Sequence, residues 1–261
     1  MKITADQIKE LREITWIWMM ECKKALEETE WDMDLAIEEL RKKWLAKAAK
    51  KADRETFEWG IKIDIEWKKA YIVSILCETD FLSNTDKFKD MLTEVVKFLK
   101  ENWEDSREKA QEFINTNYAM EMWENLQIWA YKIIEGDVLA PYVHSNGKLA
   151  SLIIAKAGTD LEKAKQVAMH VVAANPDYLK AEDICADVVE KEKSIQLEIM
   201  KNDPKMAWKP DETLLKIIEW KLEKFKWEIS LLEQEFVVDP SKKVKDFIWQ
   251  DSVTAFFRFK I

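Results

Sequence analysis

Fifty aspartates and glutamates, two histidines and three cysteines carry the acid–base, nucleophilic and metal-ligating capacity of this 261-residue chain. Carboxylate pairs do general acid–base work when their surroundings push their pKa values apart. Here they recur at helical spacing opposite apolar stripes, which is the pattern of solvated helix faces. His144 falls in a loop and His170 in the helical stretch 163–174, neither with a Cys or Asp at ligand spacing. His170 therefore reads as structural. Cys22, Cys77 and Cys185 lie far apart and form no C-x-x-C pair, which excludes a disulfide framework and implies a reduced, cytoplasmic protein. No G-x-x-x-x-G-K-[ST], G-x-G-x-x-G, G-x-S-x-G or H-E-x-x-H occurs, so phosphate-loop, dinucleotide, serine-hydrolase and zinc-protease chemistry lack their usual signatures. What remains is recognition. The chain reads as a binding protein without covalent chemistry, cofactor or metal.

Charge narrows the partners. A net charge of −9 opposes a grip on phosphate backbones, which needs clustered Lys and Arg. The single basic cluster, Lys47–Lys51, reads as one solvated helix face. No run approaches the roughly 18 apolar residues of a membrane span, and the opening MKITADQIKELR resembles neither a signal nor a transit peptide. No direct nucleic-acid contact and no membrane contact are expected.

Composition holds an anomaly of thirteen Trp against four Gly. Glycine ordinarily makes up about 7% of residues, a share these two residue types reach only together. The tryptophans also stand where turns belong: Trp31 before Asp32, Trp67 between strand-like runs, Trp103 after Asn102, Trp208 before Lys-Pro-Asp. Turns often need a positive φ, which glycine adopts freely. The expectation is that most of these tryptophans stand for glycines, as a code reading UGA as glycine would produce. Restoring glycine at all of them creates none of the motifs sought above.

The elements that must position any binding residues follow from periodicity. Thr4 and Gln7 form a capping box with Ile3 and Ile8 as its staple. Ile8, Leu11 and Ile14 give a helical stripe ending at Thr15–Trp16, and Met19, Cys22 and Leu26 a second. Asp32 caps a third helix with Met33, Ile37 and Leu40 inside, ending near Leu45 before a basic helical linker. Residues 61–66 and 70–77 read as strands joined at Trp67–Lys69, 85–100 and 107–122 as helices, and 126–134 as a strand. The stretch from Trp67 (WKKAYIVSI) matches the stretch from Gly147 (GKLASLIIA), and each leads through Thr-Asp into a helix. This duplication of a strand–strand–helix unit points to an α+β core. Beyond Ala181, one stripe of Ile184, Val188, Ile195 and Ile199 and another of Leu214, Ile218, Leu222 and Phe225 predict an antiparallel coiled-coil hairpin. Strands return at 228–232 and 252–260, the latter with Val253, Ala255, Phe257 and Phe259 on one face, and Ser241 caps a short helix between them.

Two stretches invite a functional reading. Met20 lies among Lys23, Lys24 and Glu27, either as an incidental exposed residue or as an adaptable contact. Phe81, in Cys77-Glu-Thr-Asp-Phe-Leu-Ser-Asn, either covers the core or anchors an interface.

TxIxMMECKKAL with DLAIEELRKKxLAKAAKKA, CETDFLSN, EGDVLAPYVH, VAMHVVAANP, VVEKE and FVVDPSK together resemble the bacterial elongation factor Ts family over nearly the whole chain. Glycine motifs of that family meet Trp16, Trp18, Trp31, Trp44 and Trp220 here, and Leu82 stands at a usual valine. The resemblance implies a guanine-nucleotide exchange factor that binds elongation factor Tu, destabilises its Mg-GDP site and promotes GDP release. It implies partner contacts by Met19, Met20 and Lys23, by Thr79, Asp80, Phe81 and Leu82, and by His144 and Val237. It also implies a ubiquitin-associated-like three-helix domain over 1–53, core subdomains over 54–138 and over 139–181 with 229–261, and a coiled-coil hairpin over 182–228. A homodimer is compatible with it, and the C-terminal helical module of some members is expected to be absent. The rival classes are a non-enzymatic adaptor or dimerising scaffold and a hydrolase with unrecognised carboxylates.

Overall fold

The computed structural model describes residues 5–15, 17–51, 54–102, 106–203 and 211–260. Contacts divide the chain into two units, residues 1–134 with 145–148 and 261, and residues 135–144 with 149–260.

In the first unit α1 (Ala5–Thr15), α2 (Met19–Glu28) and α3 (Met33–Lys51) enclose a small core containing Ile8, Leu11, Cys22, Leu26 and Leu40. Asp32 caps α3 as expected, its Oδ1 accepting the Leu35 N–H at 3.0 Å. The basic stretch is the end of α3 and not a separate linker. Met19 departs from its expected inward stripe and is 50% exposed, because Ile17, just ahead of α2, is buried in that core instead. The capping box and staple fall partly on Ile3 and Thr4, outside the described residues.

β1 (Glu58–Glu66) and β2 (Lys69–Cys77) pair antiparallel with Glu66 opposite Lys69, so Trp67 and Lys68 alone make the turn. α4 (Asp80–Ser83), α5 (Asp86–Glu101), α6 (Ser106–Asn117) and α7 (Ala119–Met122) follow. The single helix expected over 107–122 breaks at Tyr118, whose ring meets Phe113 edge-on. β3 (Gln127–Glu135) then joins the free side of β2. α5 buries Phe88, Met91, Val95 and Leu99. It lies so close to the sheet that a Cβ on Gly60 would come within 2.7 Å of the Phe88 ring.

The second unit repeats the plan. β4 (Val138–Val143) and β5 (Ala150–Ala155) pair antiparallel, and α8 (Leu161–Ala174) covers them. The Thr-Asp pairs are used one residue apart: Thr85 caps α5, whereas Asp160 caps α8. α9 (Ala186–Asn202) and α10 (Asp211–Ile229) meet along Val189, Met200, Leu214, Ile218 and Leu222, and Lys221 donates to Gln196 across the seam at 2.9 Å. Ile195 and Ile199, expected in that seam, are exposed. α10 instead covers the face of α9 that carries Val189 and Met200.

Three further expectations change. The strand expected at 228–232 is the end of α10 and a short 3₁₀ turn, and its bonds to residues 177–179 amount to one isolated parallel bridge, Tyr178 with Ser230. Ser241 caps no helix. It lies in β7 (Asp239–Lys243), which pairs with β6 (Glu235–Phe236), and its hydroxyl donates to Asp239 at 2.5 Å. α11 (Val244–Phe247) follows. β8 (Val253–Phe259) pairs with β5, but an irregularity at Ile154/Ala155 shifts the alternation, so Phe256 packs on the core while Phe257 is exposed. Such an irregularity puts an extra residue in one strand and moves the side chains beyond it to the other face.

Glycine is scarce, yet left-handed backbone is not. Gly147 and Gly158 have φ of +67° and +86°, and Trp31, Trp67 and Trp123 have φ of +73°, +57° and +60°. Trp67 and Gly147 occupy matching places in the duplicated hairpins and share this conformation. A residue with a Cβ pays about 1–2 kcal/mol to sit there. Trp67 is 95% exposed and has little packing to lose. Trp67→Gly is therefore expected to raise stability by about 1 kcal/mol in denaturant unfolding, with Trp67→Ala near zero. Equal midpoints for the two variants would show that no strain resides at this corner.

Candidate functional site

β2 is buried along nearly its whole length, so where it leaves the sheet its backbone donors need new partners. Glu124 supplies them. Its Oε2 accepts the N–H groups of Glu78 at 2.7 Å and Thr79 at 2.9 Å, and its Oε1 accepts the Thr79 hydroxyl. In return the Glu78 carboxylate accepts the Asn125 N–H at 2.7 Å, and the Asn125 side chain donates to the Arg54 carbonyl at 2.7 Å. Thr79 Oγ also accepts the Leu82 N–H at 3.2 Å and so caps α4. Consecutive helical side chains point about 100° apart. Leu82 consequently enters the core while Phe81 stands 81% exposed beside an exposed Asp80.

This arrangement corrects one expectation and adds a residue. Leu82 is buried among the first unit's apolar side chains, so it anchors α4 and offers no contact surface. Glu124 was not expected. It stands between Trp123, whose backbone is left-handed, and β3, and no local sequence pattern marks it. Cys77, at the end of β2, has its thiol pushed up to about 12 by burial, with the Glu124 and Glu58 charges adding to the effect. It remains a neutral core group.

The other candidates lie on separate surfaces. Met20 is 71% exposed at the start of α2, next to the half-exposed Met19, and Lys23 pairs with Glu27 at 3.7 Å. His144, exposed at the end of β4, lies 3.1 Å through Nδ1 from the Tyr142 hydroxyl. Val237 and Val238 are exposed in the β6–β7 turn. That turn is held from inside. His170 is buried on α8, its Nδ1 accepts the Val237 N–H at 3.2 Å, and its Nε2 lies 2.9 Å from Gln234 Oε1. An Nδ1 that accepts must be unprotonated, so Nε2 carries the proton and donates to Gln234. Burial holds the imidazole below the ordinary histidine pKa, partly offset by the Gln234 bond. Among the described residues no group of His, Cys, Asp and Glu is placed to hold a metal ion, and no helix is long and apolar enough to cross a membrane.

The elongation factor TS family model matches residues 78–261, from the first residue that Glu124 holds to the end of the chain. The chain belongs to the elongation factor Ts family. Elongation factor Ts of Klebsiella pneumoniae subsp. pneumoniae is 38% identical over 273 residues, covering 100% of this chain and 92% of that protein. That of Cronobacter sakazakii is 39% identical over the same spans. The matched elongation factor Ts region contains α4, Glu124, His144, His170 and Val237. Met19, Met20 and Lys23 precede it but lie within the span shared with both relatives.

The depressed His170 pKa fixes a pH dependence. The unfolded chain binds this proton more readily than the folded one, so the contribution to stability is complete above about pH 6.5, the unfolded value, and is lost as pH falls toward the folded pKa. Denaturant midpoints measured across this range should fall less steeply for His170→Gln than for the parent. Identical slopes would remove His170 from the linkage.

Proposed function

We propose that this member of the elongation factor Ts family works through the Asp80–Phe81 projection and two further contact surfaces, one at Met19, Met20 and Lys23 and one at His144 and Val237. Members of the family are guanine-nucleotide exchange factors for elongation factor Tu in translation elongation, and this chain is one of them. Exchange transfers no atoms. The factor binds the partner in a form that holds nucleotide poorly, and linkage requires nucleotide to weaken the factor's binding equally. Asp80 and Phe81 enter the partner beside its Mg²⁺ region. Loss of that ion matters because it bridges and neutralises phosphate oxygens that otherwise repel. In this reading α1–α3 form a ubiquitin-associated-like domain, α9–α10 a projecting coiled-coil hairpin, and the protein works in the cytoplasm.

The observation that carries this reading is the pairing of exposed Phe81 with buried Leu82. A large aromatic on a capped, hydrogen-bonded turn offers a partner apolar area without ordering cost. Phe81→Ala is expected to leave folding stability nearly unchanged yet slow catalysed GDP release by about tenfold or more. Asp80→Ala should act likewise but more weakly. Phe88→Ala, at a fully buried site, should do the reverse and cost about 3–5 kcal/mol of stability. Denaturant unfolding and stopped-flow GDP release on elongation factor Tu measure both quantities. Loss of folding in Phe81→Ala with exchange intact in the folded fraction would refute the contact role.

A further inference from the structure

We propose that Glu124 is the positioning residue of the Asp80–Phe81 projection, a role that rests on the contact reading above. Its carboxylate lies 45 positions along the chain from Thr79, yet it accepts both backbone N–H groups at the exit of β2 together with the Thr79 hydroxyl. These are the last donors before α4, and the same Thr79 Oγ caps that helix. With the carboxylate in place, the path of residues 78–79 and the direction of the first turn of α4 are set before any partner arrives. Without it, two backbone donors turn to water and the projection samples other directions, which the partner must then reorder at a cost in affinity. Glu124 touches no partner atom in this role and acts only through residues 79–81.

A double-mutant cycle separates positioning from general structure. Glu124→Ala and Phe81→Ala should each slow GDP release from elongation factor Tu by about tenfold, and the double variant should be no slower than Phe81→Ala alone. Glu124→Gln, which keeps one accepting oxygen, should fall between the parent and Glu124→Ala at an unchanged melting temperature. Losses that multiply in the double variant, or an unimpaired Glu124→Ala, overturn the positioning role. A slow Glu124→Ala beside an unimpaired Phe81→Ala overturns the contact reading itself.

A separate set of observations concerns the residues at the corners. Among the described residues, five without glycine's freedom have positive φ, and three of them are Trp31, Trp67 and Trp123. The four glycines present are used with equal economy: Gly147 and Gly158 are left-handed, and a Cβ at Gly60 or Gly136 would come within 2.7 Å of Phe88 or 2.6 Å of Ile154. Left-handed backbone concentrated on the bulkiest residue type contradicts the preference of every residue with a Cβ. We infer that the codons at 31, 67 and 123 are read as glycine in the cell that makes this protein, together with every other tryptophan position that shares their codon. Glycine at 18 and 123 would also strip two indoles from the cavity of about 350 Å³ beside Met19, which Arg12, Ile17, Trp18, Met19 and Trp123 line, and would clear the approach to that contact surface. Peptide mass spectrometry of the protein isolated from its own cells decides the matter. Glycine masses at 31, 67 and 123, with UGA in the coding DNA, are expected. Tryptophan or any third residue at these positions, or UGG codons there, overturns the inference.

Discussion

One carboxylate organises the exit of the chain from β2 into α4. Glu124 gathers three donors from residues 78 and 79, and from that point the chain can leave a fully buried strand and still present an aromatic to solvent. A central strand ordinarily ends in a loop whose N–H groups meet water, and such a loop wanders. Here an ionised acceptor takes the place of water, and charge-assisted hydrogen bonds of this kind are the strong ones. The burial of Leu82 and the exposure of Phe81 follow from the single turn that the clamp permits.

The same logic recurs in the second unit with a neutral group. His170, buried on α8, holds the backbone of the β6–β7 turn by accepting one N–H, and Gln234 fixes its tautomer from the other side while donating to the Glu228 carbonyl at 2.6 Å. A buried acceptor left unpaired would cost about 1–3 kcal/mol, so His170, Gln234 and the turn are held as one network. In both units a polar side chain from a distant segment holds the backbone beside an exposed apolar residue, the half-buried Glu124 near Phe81 and the buried His170 at Val237.

The left-handed corners supply the remaining constraint. The β1–β2 hairpin and the entry to α3 turn at Trp67 and Trp31, and the segment bearing Glu124 turns at Trp123. The two duplicated hairpins turn at the same place with the same sign of φ, one on tryptophan and one on glycine. Backbone geometry is thus shared by the copies where side-chain identity is not.

By itself the sequence pointed to the family through long ordered motifs such as CETDFLSN and EGDVLAPYVH, and it determined the α+β plan, the duplicated hairpin–helix unit and the buried face of α5, because these are written in local periodicity: apolar residues every third or fourth place in a helix, and turn chemistry between strands. It also marked the corners at Trp31 and Trp67, where tryptophan stands in the place a turn gives to glycine. Only the tertiary structure decided that Met19 yields its core place to Ile17, that Met200 and not Ile195 faces α10, that α10 runs past Glu228, and that Phe257 turns outward beyond an irregularity in its strand. Neither could any local pattern reveal Glu124 as the partner of Thr79. Each of these outcomes depends on which distant segment arrives to fill a volume or accept a hydrogen bond, and periodicity records only how a chain repeats along itself.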